Sequence, residues 1–102
     1  MVQIKWTIQA RDDLKNIAEY ISLDSVKYAE RQIARIKVRL HALKNQISFG
    51  KITPEINDPD FRELIEGNYR IIYKIQSESR VSILTFHHSA RELNKRKEIF
   101  NQ

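Results

Sequence analysis

The chain has 102 residues, with 18 Lys/Arg against 13 Asp/Glu, a formal net charge of +5 and no cysteine. That length fits a single domain, residues 1–102, with one modest core. The lack of cysteine excludes a disulfide framework, a thiolate metal site and a thiol nucleophile. No apolar run is long enough to span a bilayer, and the first ten residues hold no signal-peptide core, so a cytoplasmic protein is expected. The basic surplus suits nucleic acid or an acidic protein partner, and charge alone does not choose between them.

Val2 to Trp6 alternates in polarity and reads as a half-buried strand. Thr7 can cap a following helix, in which Ala10, Leu14, Ile17, Ala18 and Ile21 recur at helical spacing from about Ile8 to Ser22. Asp24 and Ser25 offer a second cap. Val26, Ala29, Ile33, Ile36, Leu40, Leu43 and Ile47 then alternate spacings of three and four, which predicts a helix of about six turns with one apolar seam. Such a seam is compatible with a coiled-coil dimer. The short connection favours packing against the first helix instead. The outer face carries Lys27, Arg31, Arg35, Lys37, Arg39 and Lys44.

Ser48 to Asp60 holds Gly50, Pro54 and Pro59, has no period, and reads as a long loop with Lys51 and Glu55 as its notable side chains. The stretch from Phe61 to Leu93 organises the rest. Phe61–Ile65 is a short strand, and Glu66-Gly67-Asn68 is a hairpin turn. Tyr69–Gln76 alternates, with Tyr69, Ile71, Tyr73 and Ile75 opposite Arg70, Ile72 and Lys74. After a turn at Ser77-Glu78-Ser79, Arg80–His88 sets Val81, Ile83, Thr85 and His87 opposite Ser82, Leu84, Phe86 and His88. The expected fold is therefore α+β: an N-terminal strand, an antiparallel helical pair, then a three-stranded antiparallel meander. A short basic segment, with Arg91, Lys95, Arg96 and Lys97, ends the chain as a short helix or a tail. Adjacent histidines in a strand point to opposite faces, so His87 and His88 do not jointly hold a metal, and neither metal nor cofactor is expected.

Over nearly its whole length the chain resembles the RelE/ParE superfamily of bacterial toxins. The likeness rests on Ala10, Leu14, Ile17, Tyr20 and Ile21 in the first helix, and on Gly50-Lys51 and Pro54-Glu55 in the loop. It continues through Arg62-Glu63-Leu64 and Asn68 to Tyr73, and closes at His88-Ser89-Ala90-Arg91. The stretches from Gly50 to Tyr73 and from His88 to Arg91 look more like the ParE branch. That resemblance implies the toxin of a type II toxin–antitoxin, or plasmid stabilization, system. Such a toxin inhibits growth through DNA gyrase, is neutralised by a cognate antitoxin, and is regarded as a binder of another enzyme without a demonstrated active site of its own. Arg91, Lys95, Arg96 and Lys97 are then expected to contact the target.

The RelE branch supplies the alternative, a ribosome-dependent mRNA endonuclease with the ribosome and mRNA as partners. Cleavage through a 2′-hydroxyl needs a base, an acid and a cation on the phosphate. Under that reading Glu55 is the base, Arg70 faces the scissile phosphate and His88 is the acid. Each also has a structural reading: Arg70 can pair with Glu55 or Glu63, and a histidine at a strand end is often only hydrogen-bonded. Whether the chain is an enzyme stays open at this point, with gyrase inhibition preferred.

Overall fold

Thr7 is the point where extended chain turns into helix. Its backbone is extended, and its hydroxyl accepts a hydrogen bond from the Ala10 amide (3.0 Å) while lying 3.0 Å from the Ile83 and Leu84 carbonyls, to which it donates. One side chain thus caps a helix and ties it to the far end of the sequence. The computed structural model describes residues 2–89, built from β1 (Gln3–Trp6), α1 (Ile8–Ser22), α2 (Val26–Ala42), β2 (Lys51–Ile52), β3 (Phe61–Glu66), β4 (Tyr69–Ser77) and β5 (Arg80–His88). The basic segment with Arg91, Lys95, Arg96 and Lys97 lies outside the described residues.

The five strands form one sheet in the order β1-β5-β4-β3-β2. The meander β3-β4-β5 is antiparallel as expected, whereas β1 joins as a parallel edge strand beside β5, Ile4 opposite Val81 and Trp6 opposite Ile83. The fold is α+β, with both helices packed on one face of the sheet. The apolar seam of α2 buries Ala29, Ile36, Leu40 and, just beyond the helix, Leu43. Ala10, Ile36, Leu40 and Leu43 meet Leu64, Ile71, Tyr73, Val81, Ile83 and Phe86 in the main core. Trp6 packs against it through the Phe86 ring, with centroids 5.1 Å apart. From Ile36 onward the seam is a core stripe within this chain, whereas Val26 is exposed and Ile33 only partly buried.

Two boundaries differ from the sequence expectation. The second helix stops at Ala42 and tightens through Leu43, Lys44 and Asn45, whose amides reach back three residues to Leu40, His41 and Ala42. Ile47 still packs on the core, but its carbonyl accepts from the Tyr73 hydroxyl (2.7 Å), so the apolar rhythm outlasts the helix. The long loop contains β2, a two-residue strand that pairs Lys51 with Glu63 and Ile52 with Arg62. Gly50 is required at its start: a Cβ there would lie 2.6 Å from the Glu63 carbonyl oxygen and 2.9 Å from the Tyr73 ring. Gly67, at φ 58°, makes the β3–β4 turn.

Candidate functional site

The face of the sheet away from the helices carries the polar side chains that matter. Strand alternation places Phe61 and Glu63 of β3 with Arg70, Ile72 and Lys74 of β4 on that face, and Phe61, Ile72 and Leu84 make a second small apolar cluster there. Lys74 lies over the Phe61 ring, 5.3 Å from its centroid. The loop from Thr53 to Asp60 is moored beside it. The Thr53 amide donates to the Phe61 carbonyl, and the Arg62 guanidinium donates to the Pro59 and Gly50 carbonyls at 2.8 and 3.1 Å.

This mooring brings Glu55 to Arg70. The guanidinium donates from Nη1 to Oε2 and from Nη2 to Oε1 of Glu55, both at 2.7 Å. Nη2 also donates to Glu63 Oε1, while Lys51 Nζ stands 3.7 Å from the other Glu63 oxygen. The Glu63 side chain is only 2% exposed and that of Arg70 11%. A planar fork held by one bidentate carboxylate and a second buried one has little freedom to move. Bonding to Arg70 holds the Glu55 carboxyl below its ordinary value, despite partial burial that pushes it up. The same bond to Glu55, helped by Glu63, raises Arg70 further against its own desolvation.

Of the residues singled out by sequence, the structure joins Glu55 and Arg70 and sets His88 elsewhere. The alternation expected along β5 breaks at a bulge: Ile72 pairs with Thr85 but Tyr73 pairs with Ile83, which leaves Leu84 as the extra residue. Phe86 therefore returns to the helix face with Ile83, contrary to the expected split of this strand. His88 falls opposite Tyr69, whose ring it meets edge-on at 5.4 Å between centroids. His87 is the histidine in register with Arg70; it is buried, and its field contributes to lowering Glu55. Sequence reasoning overlooked His87 in this position, and no local residue type marks the bulge. Asp13 was also passed over. It accepts from the Thr85 hydroxyl and, at 3.3 Å, from the Phe86 amide, anchoring α1 beside the bulge.

Chemically, the cluster is an ion-pair network with Glu55 at its exposed rim. A general base needs a pKa near the working pH, whereas both Glu55 oxygens already accept from Arg70 and its pKa is lowered. The open apolar surface lies elsewhere. A groove of about 480 Å³ runs between α1 and α2, lined by Ala18, Ser22, Val26, Ala29, Ile33 and Ala34 together with Glu19, Glu30 and Lys37. Tyr20 and Leu23 are exposed at 73% and 82% in the same part of the helical pair. No helix among the described residues is long and apolar enough to cross a membrane.

A helical pair on a meander with a parallel N-terminal edge strand, and a Glu–Arg–Glu network on the opposite face, defines a compact α+β class of small protein. The sequence profile of the family described as "ParE toxin of type II toxin-antitoxin system, parDE" matches residues 4–93. The chain belongs to that family. Among solved structures it is similar to one titled "Chromosomal ParDE TA system from P. aeruginosa", at 22% identity and a TM-score of 0.69, over 86% of this chain and 96% of the other. It is also similar to the toxin–antitoxin complex RelBE2 from Mycobacterium tuberculosis, at 25% identity and a TM-score of 0.49, over 85% of this chain and 96% of that one. None of the curated proteins matches the chain.

Proposed function

We propose that this chain acts by binding, as a gyrase-directed toxin held in check by a cognate antitoxin. The observation that carries this reading is the locked state of Arg70, within a chain whose family profile spans residues 4–93. Recruiting Arg70 to a scissile phosphate means breaking its bonds to two carboxylates, one of them almost fully buried, and His88 lies in register with Tyr69 rather than with Arg70. The RelE-like set Glu55, Arg70 and His88 is therefore the weaker account. The groove between α1 and α2 fits the apolar side of an antitoxin helix, in the manner of an amphipathic segment laid into a groove. The basic segment Arg91, Lys95, Arg96 and Lys97 is assigned to target contact.

The test uses purified gyrase and supercoiled plasmid. The full chain is expected to trap gyrase-cleaved DNA, and a chain truncated before Arg91 that still folds is expected to lose that effect. Undiminished trapping by the folded truncation overturns the role of the basic segment. Cleavage of ribosome-bound mRNA by the full chain, abolished in an Arg70→Ala/His88→Ala double variant, overturns the gyrase reading.

A further inference from the structure

The functions described so far leave one side of α2 unused. Lys27, Arg31, Arg35 and Arg39 recur at every fourth residue, and all four are exposed. At 3.6 residues per turn and 1.5 Å per residue, such a series climbs about 6 Å and rotates about 40° per step. It forms a stripe about 18 Å long that winds from the side opposite Ile36, at Lys27, round to the edge of the sheet, at Arg39. Arg39 bonds Glu66 at 3.3 Å, whereas among the described residues Lys27, Arg31 and Arg35 form no ion pair. Like charges at this spacing disfavour a helix, so helix stability does not account for the arrangement.

Aromatic rings accompany the stripe. Tyr28, 50% exposed, precedes Arg31 by three residues and so shares its surface. Phe49, 49% exposed, lines a second cleft of about 280 Å³ together with Arg35, Val38, Arg39, Ala42 and Glu66, the last held by Arg39. This cleft shares no residue with the groove between α1 and α2.

We propose that this side of α2 binds single-stranded nucleic acid, its cations tracking the phosphates and Tyr28 and Phe49 stacking on bases. Two observations favour this partner over an acidic protein. Three of the four cations are arginines, whose planar forks suit phosphate and carboxylate alike, so the choice rests on the rings and on the unpaired charge. The exposed rings lie beside those cations, which is the arrangement that holds a single strand without reading its sequence. Among the described residues Lys27, Arg31 and Arg35 have no ion-pair partner, so three successive cations are left to meet phosphates, with Glu30 the one exposed carboxylate among them on α2. The cleft at Phe49, Arg35 and Arg39 shares no residue with the groove proposed for an antitoxin helix, and the site stands or falls independently of gyrase.

The test is fluorescence anisotropy with the purified full chain, a labelled oligothymidylate, a labelled mixed-sequence duplex of equal length and polyglutamate as competitor. The oligothymidylate is expected to bind and to weaken by roughly 15- to 60-fold between about 50 and 200 mM salt, as three or four phosphate contacts on a single strand require. A Lys27→Gln/Arg31→Gln/Arg35→Gln variant is expected to lose about tenfold or more at low salt and to flatten that dependence, with unchanged or higher thermal stability as like-charge repulsion is relieved. Phe49→Ala is expected to weaken binding about fivefold or more while the salt dependence stays the same. The assignment is overturned by absence of oligothymidylate binding at low salt, by equal affinity for the duplex, or by a triple variant with unaltered salt dependence. Displacement by polyglutamate as efficient as by unlabelled oligothymidylate also overturns it and makes the stripe an acidic-protein surface.

Discussion

Arg70 is the residue whose surroundings decide most. Replacing it with alanine leaves the Glu63 carboxylate buried without its cation, and Lys51 stands at 3.7 Å on an exposed side chain that offers little compensation. Loss of one partner from a buried pair destabilises by about 3–5 kcal/mol. An Arg70→Ala chain is therefore expected to show that deficit in urea unfolding, and growth inhibition by the variant has to be judged against it. Glu55 supplies a pH dependence. Its folded pKa lies below its unfolded value of 4.5, so its contribution is complete above that value and fades as the pH falls through the folded one. Thermal melts from pH 6 downward are expected to show a drop below about pH 4.5 that is smaller in Glu55→Gln. Tyr73 gives a third check, because its hydroxyl donates to the Ile47 carbonyl at 2.7 Å and accepts from the Gly50 amide at 2.9 Å. Tyr73→Phe leaves the buried Gly50 amide and the partly buried Ile47 carbonyl without this partner and is expected to lose about 1–3 kcal/mol by the same unfolding measurement. Part of this was legible in the sequence. Strand alternation alone set Arg70 opposite the core register and offered Glu55 and Glu63 as partners. Which histidine lies beside it was not legible, because a bulge at Leu84 is a matter of backbone pairing and leaves no residue signature.

At the scale of elements, the caps and the seam carry the fold. Thr7 and Ser25 both accept from an amide three residues on, yet only the Thr7 hydroxyl also lies 3.0 Å from carbonyls of β5. Thr7→Ala is expected to lose roughly 1–2 kcal/mol and Ser25→Ala less, a difference that denaturant melts of the two variants resolve. Ile36 is fully buried at the centre of the seam, and Ile36→Ala is expected to lose about 2–5 kcal/mol as the cavity collapses incompletely. The first helix was legible to its last residue, since Thr7 and the break at Asp24-Ser25 bound a clear period. The second was read too long. Leu43 and Ile47 keep the spacing because they still reach the core, while Tyr73 takes the Ile47 carbonyl out of any helical ladder. The strand β2 escaped notice because two residues carry no period. It exists because Gly50 lets the backbone lie against Glu63 and Tyr73.

Among the described residues the first strand pairs with the last, β1 running parallel to β5 at one edge of the open sheet. That pairing is long-range and was not legible, whereas the meander, whose strands are joined by short turns, was. The family was legible because its cues are spread from Ala10 to Arg91, and the match over residues 4–93 agrees with them. On this architecture the helical pair presents an apolar groove, while on the far face of the sheet Arg70 is paired with Glu55 and the buried Glu63. Under the proposed function the first is a binding surface and the second is structural. The measurement that tests this most directly is induction of the chain alone in bacteria, with DNA and protein synthesis followed by labelled precursors. DNA synthesis is expected to stop first, with DNA breaks accumulating. Protein synthesis stopping first, with mRNA cut at ribosomes, would contradict it.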